Sequence, residues 1–168
     1  MEPSASPPTQ PLRDEHRALL PEIAALRAAA DAVGTPAGEE AFERACRLLE
    51  RHLLPHLEAE EASLYPTIDR LSGEHATATM WHDHDEIRRR IAELRELPRG
   101  PGASAKNDLR AALYGLDAIV RLHVAKEEAL HYPLLDEHLG RLEAAQLVEA
   151  VHQTERALYQ REGEHPAT

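Results

Sequence analysis

The sequence predicts an all-α fold: an antiparallel up-down four-helix bundle with an additional short C-terminal helix. Three observations lead there. Apolar residues recur at 3.6-residue spacing along four long segments and one shorter one. Runs containing Gly and Pro interrupt those segments. Aromatic residues make up only 4% of the 168, so the core must be aliphatic. Short connections then force consecutive helices to lie side by side.

Residues 1–11 are rich in Pro and Ser and are expected to form a disordered tail. Residues 12–161 form the bundle, and 162–168 are expected to fray. The first helix begins near Leu12, with His16, Leu19, Leu20, Ile23, Leu26 and Ala30 on one stripe. Gly34-Thr35-Pro36-Ala37-Gly38 ends it. The second runs from about Glu39 to Leu64, aligns Phe42, Ala45, Leu49, His52, His56 and Glu60, and is closed by Pro66. A connector through Ser72-Gly73 leads to a third helix, with Trp81, His84, Ile87, Ile91 and Leu94 inward. After Pro98-Arg99-Gly100-Pro101-Gly102, the fourth spans about Ser104 to His131 and aligns Leu109, Ala112, Leu116, Ile119, His123 and Glu127. The fifth, from about Arg141 to Gln160, places Leu142, Ala145, Val148 and His152 on one side. Pro21 and Pro55 fall inside predicted helices. Each either restarts a helix or kinks it, because proline removes a backbone donor and clashes with the preceding turn.

A formal charge of -11 disfavours nucleic acid and anionic membranes as partners. The lone Cys46 excludes a disulfide framework or a cysteine-ligated cluster. The first ten residues lack the apolar stretch of a signal peptide, and no run approaches a bilayer span. A cytoplasmic location is the expectation.

One phrase occurs twice. His56-x3-Glu60-Glu61-Ala62-x2-Tyr65-Pro66-x2-Asp69 returns as His123-x3-Glu127-Glu128-Ala129-x2-Tyr132-Pro133-x2-Asp136, with seven of fourteen positions identical. On a helix, residues four apart share a face, so each copy presents one imidazole and one carboxylate together. His16 precedes the first copy by 40 residues and His84 precedes the second by 39. His82 competes with His84, since His82 and Glu86 also stand four apart. Residues two apart differ by about 200° around a helix. Residues 84, 87, 91 and 94 form the apolar stripe, which selects His84.

The expected ligand set is therefore His16, His56, Glu60, His84, His123 and Glu127. Imidazole and carboxylate without thiolate suit a pair of first-row ions: iron, manganese or zinc. If each Glu bridges two six-coordinate ions, about four positions stay open, and open positions imply reactivity.

These residues resemble the hemerythrin-like, or HHE cation-binding, family of non-haem di-iron four-helix bundles. The resemblance covers about residues 12–137, and the Glu-Glu doublet and Tyr-Pro also fit it. It implies two iron ions with an oxo or hydroxo bridge, and a small diatomic or peroxide as ligand. Oxygen-carrying relatives have a second histidine one turn from the first on helix three, where this chain has Met80 and Arg88. They also follow their helix-four histidine with Asp at the fifth position, whereas here Glu127 follows His123 at the fourth. One fewer histidine leaves an extra exchangeable position. That favours sensing of oxygen or nitric oxide, or oxidoreductase chemistry on oxygen or peroxide, over reversible oxygen carriage.

Two readings from other classes stand beside this one. One is iron donation for repair of iron–sulfur centres; relatives with that role carry a Cys-bearing extension that this sequence lacks. The other is a metal-free or zinc-bound interaction bundle. Among neighbouring residues, His52 is expected to line the pocket, Trp81 to wall it, and Glu61 and Glu128 to support ligands or lie on the surface. Tyr65 and Tyr132 stand five residues beyond their Glu, about 7.5 Å along a helix axis. They are expected not to ligate directly, but to pack in the core and support the ligands. His75, His131, His138, His152 and His165 are expected to be ordinary.

Overall fold

The computed structural model describes residues 6–100 and 102–163; the expectations for residues 1–5 and 164–168, His165 included, fall outside these. Every regular element among the described residues is helical. We number five rods. α1 is Gln10–Ala32, α2 covers residues 38–72, α3 is Ala78–Glu96, α4 covers residues 103–138 and α5 is Arg141–Gly163.

Two of the rods are composite. α2 joins α-helical Gly38–Leu48, Leu54–Ala59 and Tyr65–Ser72 through π-helical turns at Leu49–Leu53 and Glu60–Leu64. α4 joins Ala103–Lys126 to Tyr132–His138 through a π turn at Glu127–His131. Each π turn is followed by a residue and then a proline: Leu54-Pro55, Tyr65-Pro66 and Tyr132-Pro133. Proline clashes with the carbonyl four residues back and cannot donate to it. Widening the preceding turn relieves that clash, and the residue before each proline donates five residues back, to Leu49, Glu60 and Glu127 respectively.

This corrects three boundary expectations. Pro66 does not close α2, which continues to Ser72, and α4 runs past His131 to His138. Pro55 neither restarts α2 nor stands in a regular α turn. Pro21 lies inside α1 with no π turn before it.

The rods pack through two apolar clusters. The larger includes Ile23 and Leu26 of α1, Leu53 of α2, Ile87 of α3 and Leu116 of α4, all at most 1% exposed. The smaller joins Ile68, Met80 and Leu135 to Leu147 and Val151 of α5. On α1, α2, α3 and α4 the histidines at 16, 56, 84 and 123 fall at the junction of the two clusters. The apolar layers thus close the polar level from both ends.

Several inward faces differ from the periodic reading. On α4 the buried line is Leu109, Leu113, Leu116 and Val120, while Ile119 is only partly buried. On α5 the buried residues are Ala144, Leu147, Val148 and Val151, and Leu142 is 72% exposed. An extra helix laid on one side of a bundle buries a narrow stripe, and a short amphipathic segment offers several rotations of it.

The repeated Asp fixes where α1 and α3 begin. Asp69 accepts from the Thr77 backbone N–H at 2.8 Å and from its hydroxyl at 3.0 Å. Asp136 accepts from the same groups of Thr9 at 2.8 and 2.9 Å. Thr9 is consequently buried, and α1 starts two residues before Leu12. Asp69→Ala removes two hydrogen bonds to a charged acceptor and should cost about 1–3 kcal/mol, read as a lower urea midpoint. An unchanged midpoint would dismiss this anchoring.

Candidate metal centre

The repeated phrase places its His and Glu side chains inside the bundle. His16, Glu60, His84, His123 and Glu127 are at most 1% exposed, and His56 is 6% exposed. All six predicted residues meet at one level. The imidazole Nε2 atoms point at the carboxylates. Glu60 Oε1 lies 3.1 Å from His56 Nε2 and 3.8 Å from His16 Nε2. Its Oε2 lies 3.4 Å from His84 Nε2 and 3.7 Å from His123 Nε2. Glu127 Oε2 lies 3.4 Å from His16 Nε2 and 3.5 Å from His123 Nε2. Two ligand groups overlap on Glu60: His16, His56, Glu60 and Glu127, and Glu60, His84 and His123.

The outer nitrogens face a second ring of carboxylates. His56 Nδ1 meets Glu155 at 3.1 Å and His84 Nδ1 meets Glu61 at 2.8 Å. His16 Nδ1 lies 3.4 Å from Glu128, and His123 Nδ1 lies 3.6 Å from Asp83. A carboxylate can only accept, so it favours the proton on Nδ1 and leaves the Nε2 lone pair facing inward. Such backing orients metal-bound imidazoles and raises their basicity. Glu61 therefore supports a ligand, as one of the two readings of the doublet expects, while Glu128, with its side chain 42% exposed and no hydrogen-bond geometry to His16, lies closer to the other. Asp83 and Glu155 escaped the sequence reading: Glu155 lies 99 residues from His56 in the chain, and no spacing rule connects them.

Both tyrosines are buried in the core and reach the centre through their hydroxyls. Tyr65 Oη lies 2.7 Å from His84 Nε2 and donates to Glu127 Oε1 at 3.1 Å. Tyr132 Oη lies 3.1 Å from His16 Nε2. In an unbroken α-helix the fifth residue would stand about 140° around from the Glu. The π turn instead makes that residue the one whose N–H closes on the Glu carbonyl. It returns the tyrosine to the ligand face. Burial, and the neighbouring carboxylates with it, push both phenols upward, so they remain protonated donors.

Other expectations need correction. Trp81 is 40% exposed and packs edge-on against Tyr65, covering the tyrosine rather than walling the cluster. His131 is buried, and His152 is bonded to Glu15; neither is an ordinary surface residue. His52 lines a cavity outside His56.

Without an ion the cluster is electrostatically costly. His84 and His123 bring two Nε2 atoms within 3.0 Å of each other. Two nitrogens bound to one ion at about 2.1 Å and at right angles would be about 3 Å apart. His56 Nε2, both Glu60 oxygens and Glu127 Oε2 are buried without hydrogen-bond geometry to any partner among the described residues. Burial disfavours charge on Glu60, but His56 overrides it and holds the carboxyl well below its usual range. Burial likewise opposes charge on His56 and His123. Glu60 and Glu155 nonetheless raise His56 well above normal, and Glu127, Asp83 and Glu60 lift His123 to about 9. These are the marks of a cation's place: charged acceptors, converging lone pairs and protons that must leave.

The pH dependence follows. Ligands must be deprotonated to bind a cation. With His123 near 9 in the metal-free protein, apparent cation affinity should rise from pH 6.5 to 8.5. Chelator competition at several pH values tests this, and a flat profile would contradict it. Metal-free stability has the opposite sign. The folded value of His123 lies above the ordinary 6.5, so its contribution is complete below 6.5 and is lost as pH climbs through about 9.

A helical bundle with a buried layer of histidines and carboxylates is a cation-binding protein by construction. Residues 8–135 match the model of the hemerythrin HHE cation-binding domain, and the chain belongs to that family. No curated protein and no solved structure matches it. No helix among the described residues is long and apolar enough to cross a membrane.

Proposed function

We propose that this protein holds two non-haem iron ions and binds, senses or reacts with oxygen, nitric oxide or peroxide. His16, His56, Glu60, His84, His123 and Glu127 are the ligands in this reading; manganese or zinc is the alternative occupant. The overlap of two ligand groups on Glu60 is the observation that carries it. One oxygen of Glu60 faces the histidines of the first half of the chain and the other faces those of the second. A carboxylate so placed is a natural bridge.

The irons would supply one-electron redox change and open coordination positions. The chain supplies the rest. Its apolar layers exclude water, Glu155 and Glu61 hold His56 and His84 in one tautomer, and Tyr65 and Tyr132 place hydroxyls beside His84 and His16. Those hydroxyls can donate to an anionic or polarised ligand at the centre.

The reading includes the antiparallel up-down arrangement and a cytoplasmic location. Cross-helix pairs support the former. On α1 and α4, Thr9 meets Asp136 and Arg27 meets Asp117. On α2 and α3, Glu61 meets His84 and Glu50 meets Arg95. Rising numbers on one rod thus meet falling numbers on the next.

The test is anaerobic reconstitution with ferrous iron, followed by metal analysis and optical spectra before and after oxygen, nitric oxide or azide. Two irons per chain and a ligand-dependent visible band are expected. Fewer than one iron per chain would defeat the proposal.

A further inference from the structure

Outside His56 the structure carries a second group of ligand atoms. A cavity of about 150 Å³ opens between α1, α2 and α5, lined by Glu15, Glu22, His52, His56, Glu155 and Tyr159. Ligand atoms of Glu15, His56 and Glu155 all lie within 4.8 Å of one another. His56 is the wall shared with the buried cluster, its Nε2 facing Glu60 at 3.1 Å and its Nδ1 facing Glu155 at 3.1 Å. Glu15 Oε1 is taken by His152, but its Oε2 is buried with no hydrogen-bond partner among the described residues.

This position differs from the backing of His84 and His123. Glu61, behind His84, is held by both guanidinium nitrogens of Arg88 at 2.7 and 2.8 Å. Asp83, behind His123, is held by Lys126 at 2.5 Å. Those carboxylates are already neutralised by fixed cations. Behind His56, no Lys or Arg among the described residues pairs with Glu155, and a second carboxylate stands beside it. Two carboxylates and an imidazole edge surround one orphaned oxygen with only histidines as basic partners among the described residues, and the cavity gives a small ion access to them.

We propose that Glu15, Glu155 and the Nδ1 edge of His56 form an outer divalent-cation site, where an ion is captured before it passes to the buried cluster. The transit role rests on the buried cluster being the metal centre; the outer site itself does not. A neutral imidazole has one lone pair, so His56 serves one site at a time. An ion captured at Nδ1 takes the place of the proton that Glu155 favours there, and that proton returns when the ion passes to Nε2, so a filled centre weakens the outer site. The carboxylates also concentrate cations at the mouth, an effect that salt screens.

Uptake kinetics test it. Metal-free full-length protein is mixed anaerobically with ferrous iron and followed by competition with a chromogenic chelator. Glu15→Gln, which replaces none of the six buried residues, should slow uptake about tenfold or more while final iron content stays that of the wild type. Added salt should slow the wild type and barely affect the variant. Separately, Glu60→Gln, which disables the buried centre, should still bind one weak Mn²⁺ per chain by electron paramagnetic resonance. Glu60→Gln combined with Glu15→Gln should lose it. Unchanged uptake in Glu15→Gln removes the transit role, and Mn²⁺ binding indifferent to Glu15 removes the site. A wild type that takes up no iron defeats the di-iron reading instead, and the Mn²⁺ comparison still decides the outer site.

Discussion

Glu60→Ala should leave the protein without a tightly held metal and less stable by about 3–5 kcal/mol in its metal-free form. Both effects have one origin. Glu60 approaches all four inward imidazoles, with oxygen–nitrogen distances between 3.1 and 3.8 Å, and has 1% exposure. Its removal takes the shared ligand from both overlapping groups. It also leaves His56, whose pKa is raised in large part by Glu60, buried beside a cavity with only the outer carboxylates Glu155 and Glu15 to balance it. Urea denaturation of the metal-free variant reads the stability term, and metal analysis after reconstitution reads the other. Glu128→Ala is the control. Glu128 is 42% exposed at its side chain and backs His16 without hydrogen-bond geometry, so its loss should be small on both measures. A Glu60→Ala protein with full metal content would refute the shared-ligand role.

Removal of the metal should lower the melting temperature by roughly 8–16 °C. A cation present at about 1,000 times its dissociation constant stabilises the native state by about 4 kcal/mol, because it does not bind the unfolded chain equally. In a chain of this size each kcal/mol moves the midpoint by about 2–4 °C. The physical basis is the set of buried oxygens and nitrogens without hydrogen-bond partners among the described residues, which a cation would satisfy. Scanning calorimetry with chelator and with added ferrous iron gives the difference. The shift should vanish in a His56→Ala/His123→Ala variant. Equal melting temperatures for the treated and loaded wild type would favour a metal-free interaction bundle.

The cluster was legible in the sequence because its main signal is local. His56 with Glu60 and His123 with Glu127 are four apart, and helix geometry alone puts each pair on one face. Duplication then identified His16 and His84 by their offsets from the two copies. The structure brings all six together. What stayed hidden depends on contacts between rods or on departures from the α-helical turn. Asp83 and Glu155 are partners chosen by packing. Tyr65 and Tyr132 were expected to support the ligands from the core, but the hydroxyl contacts through which they do so rest on a wider turn that a count of 3.6 residues per turn does not give. The prolines that prompt the wider turns were in view, but proline alone does not say whether a helix stops, bends or widens. Leu142 misled because a short segment permits more than one rotation, and the burial of α5 is settled by the surface it lies on.

The wider turns also have a consequence of reading frame. A π turn holds one residue more than an α turn, so the helix beyond Glu60–Leu64 runs one residue out of phase with the helix before it. Deleting that residue would restore a regular spiral, yet would swing Tyr65, Asp69 and every later side chain of the rod by about 100°. The centre is therefore sensitive to length as well as to composition. Between Glu60 and Tyr65, and again between Glu127 and Tyr132, the count of four intervening residues is itself part of the binding site.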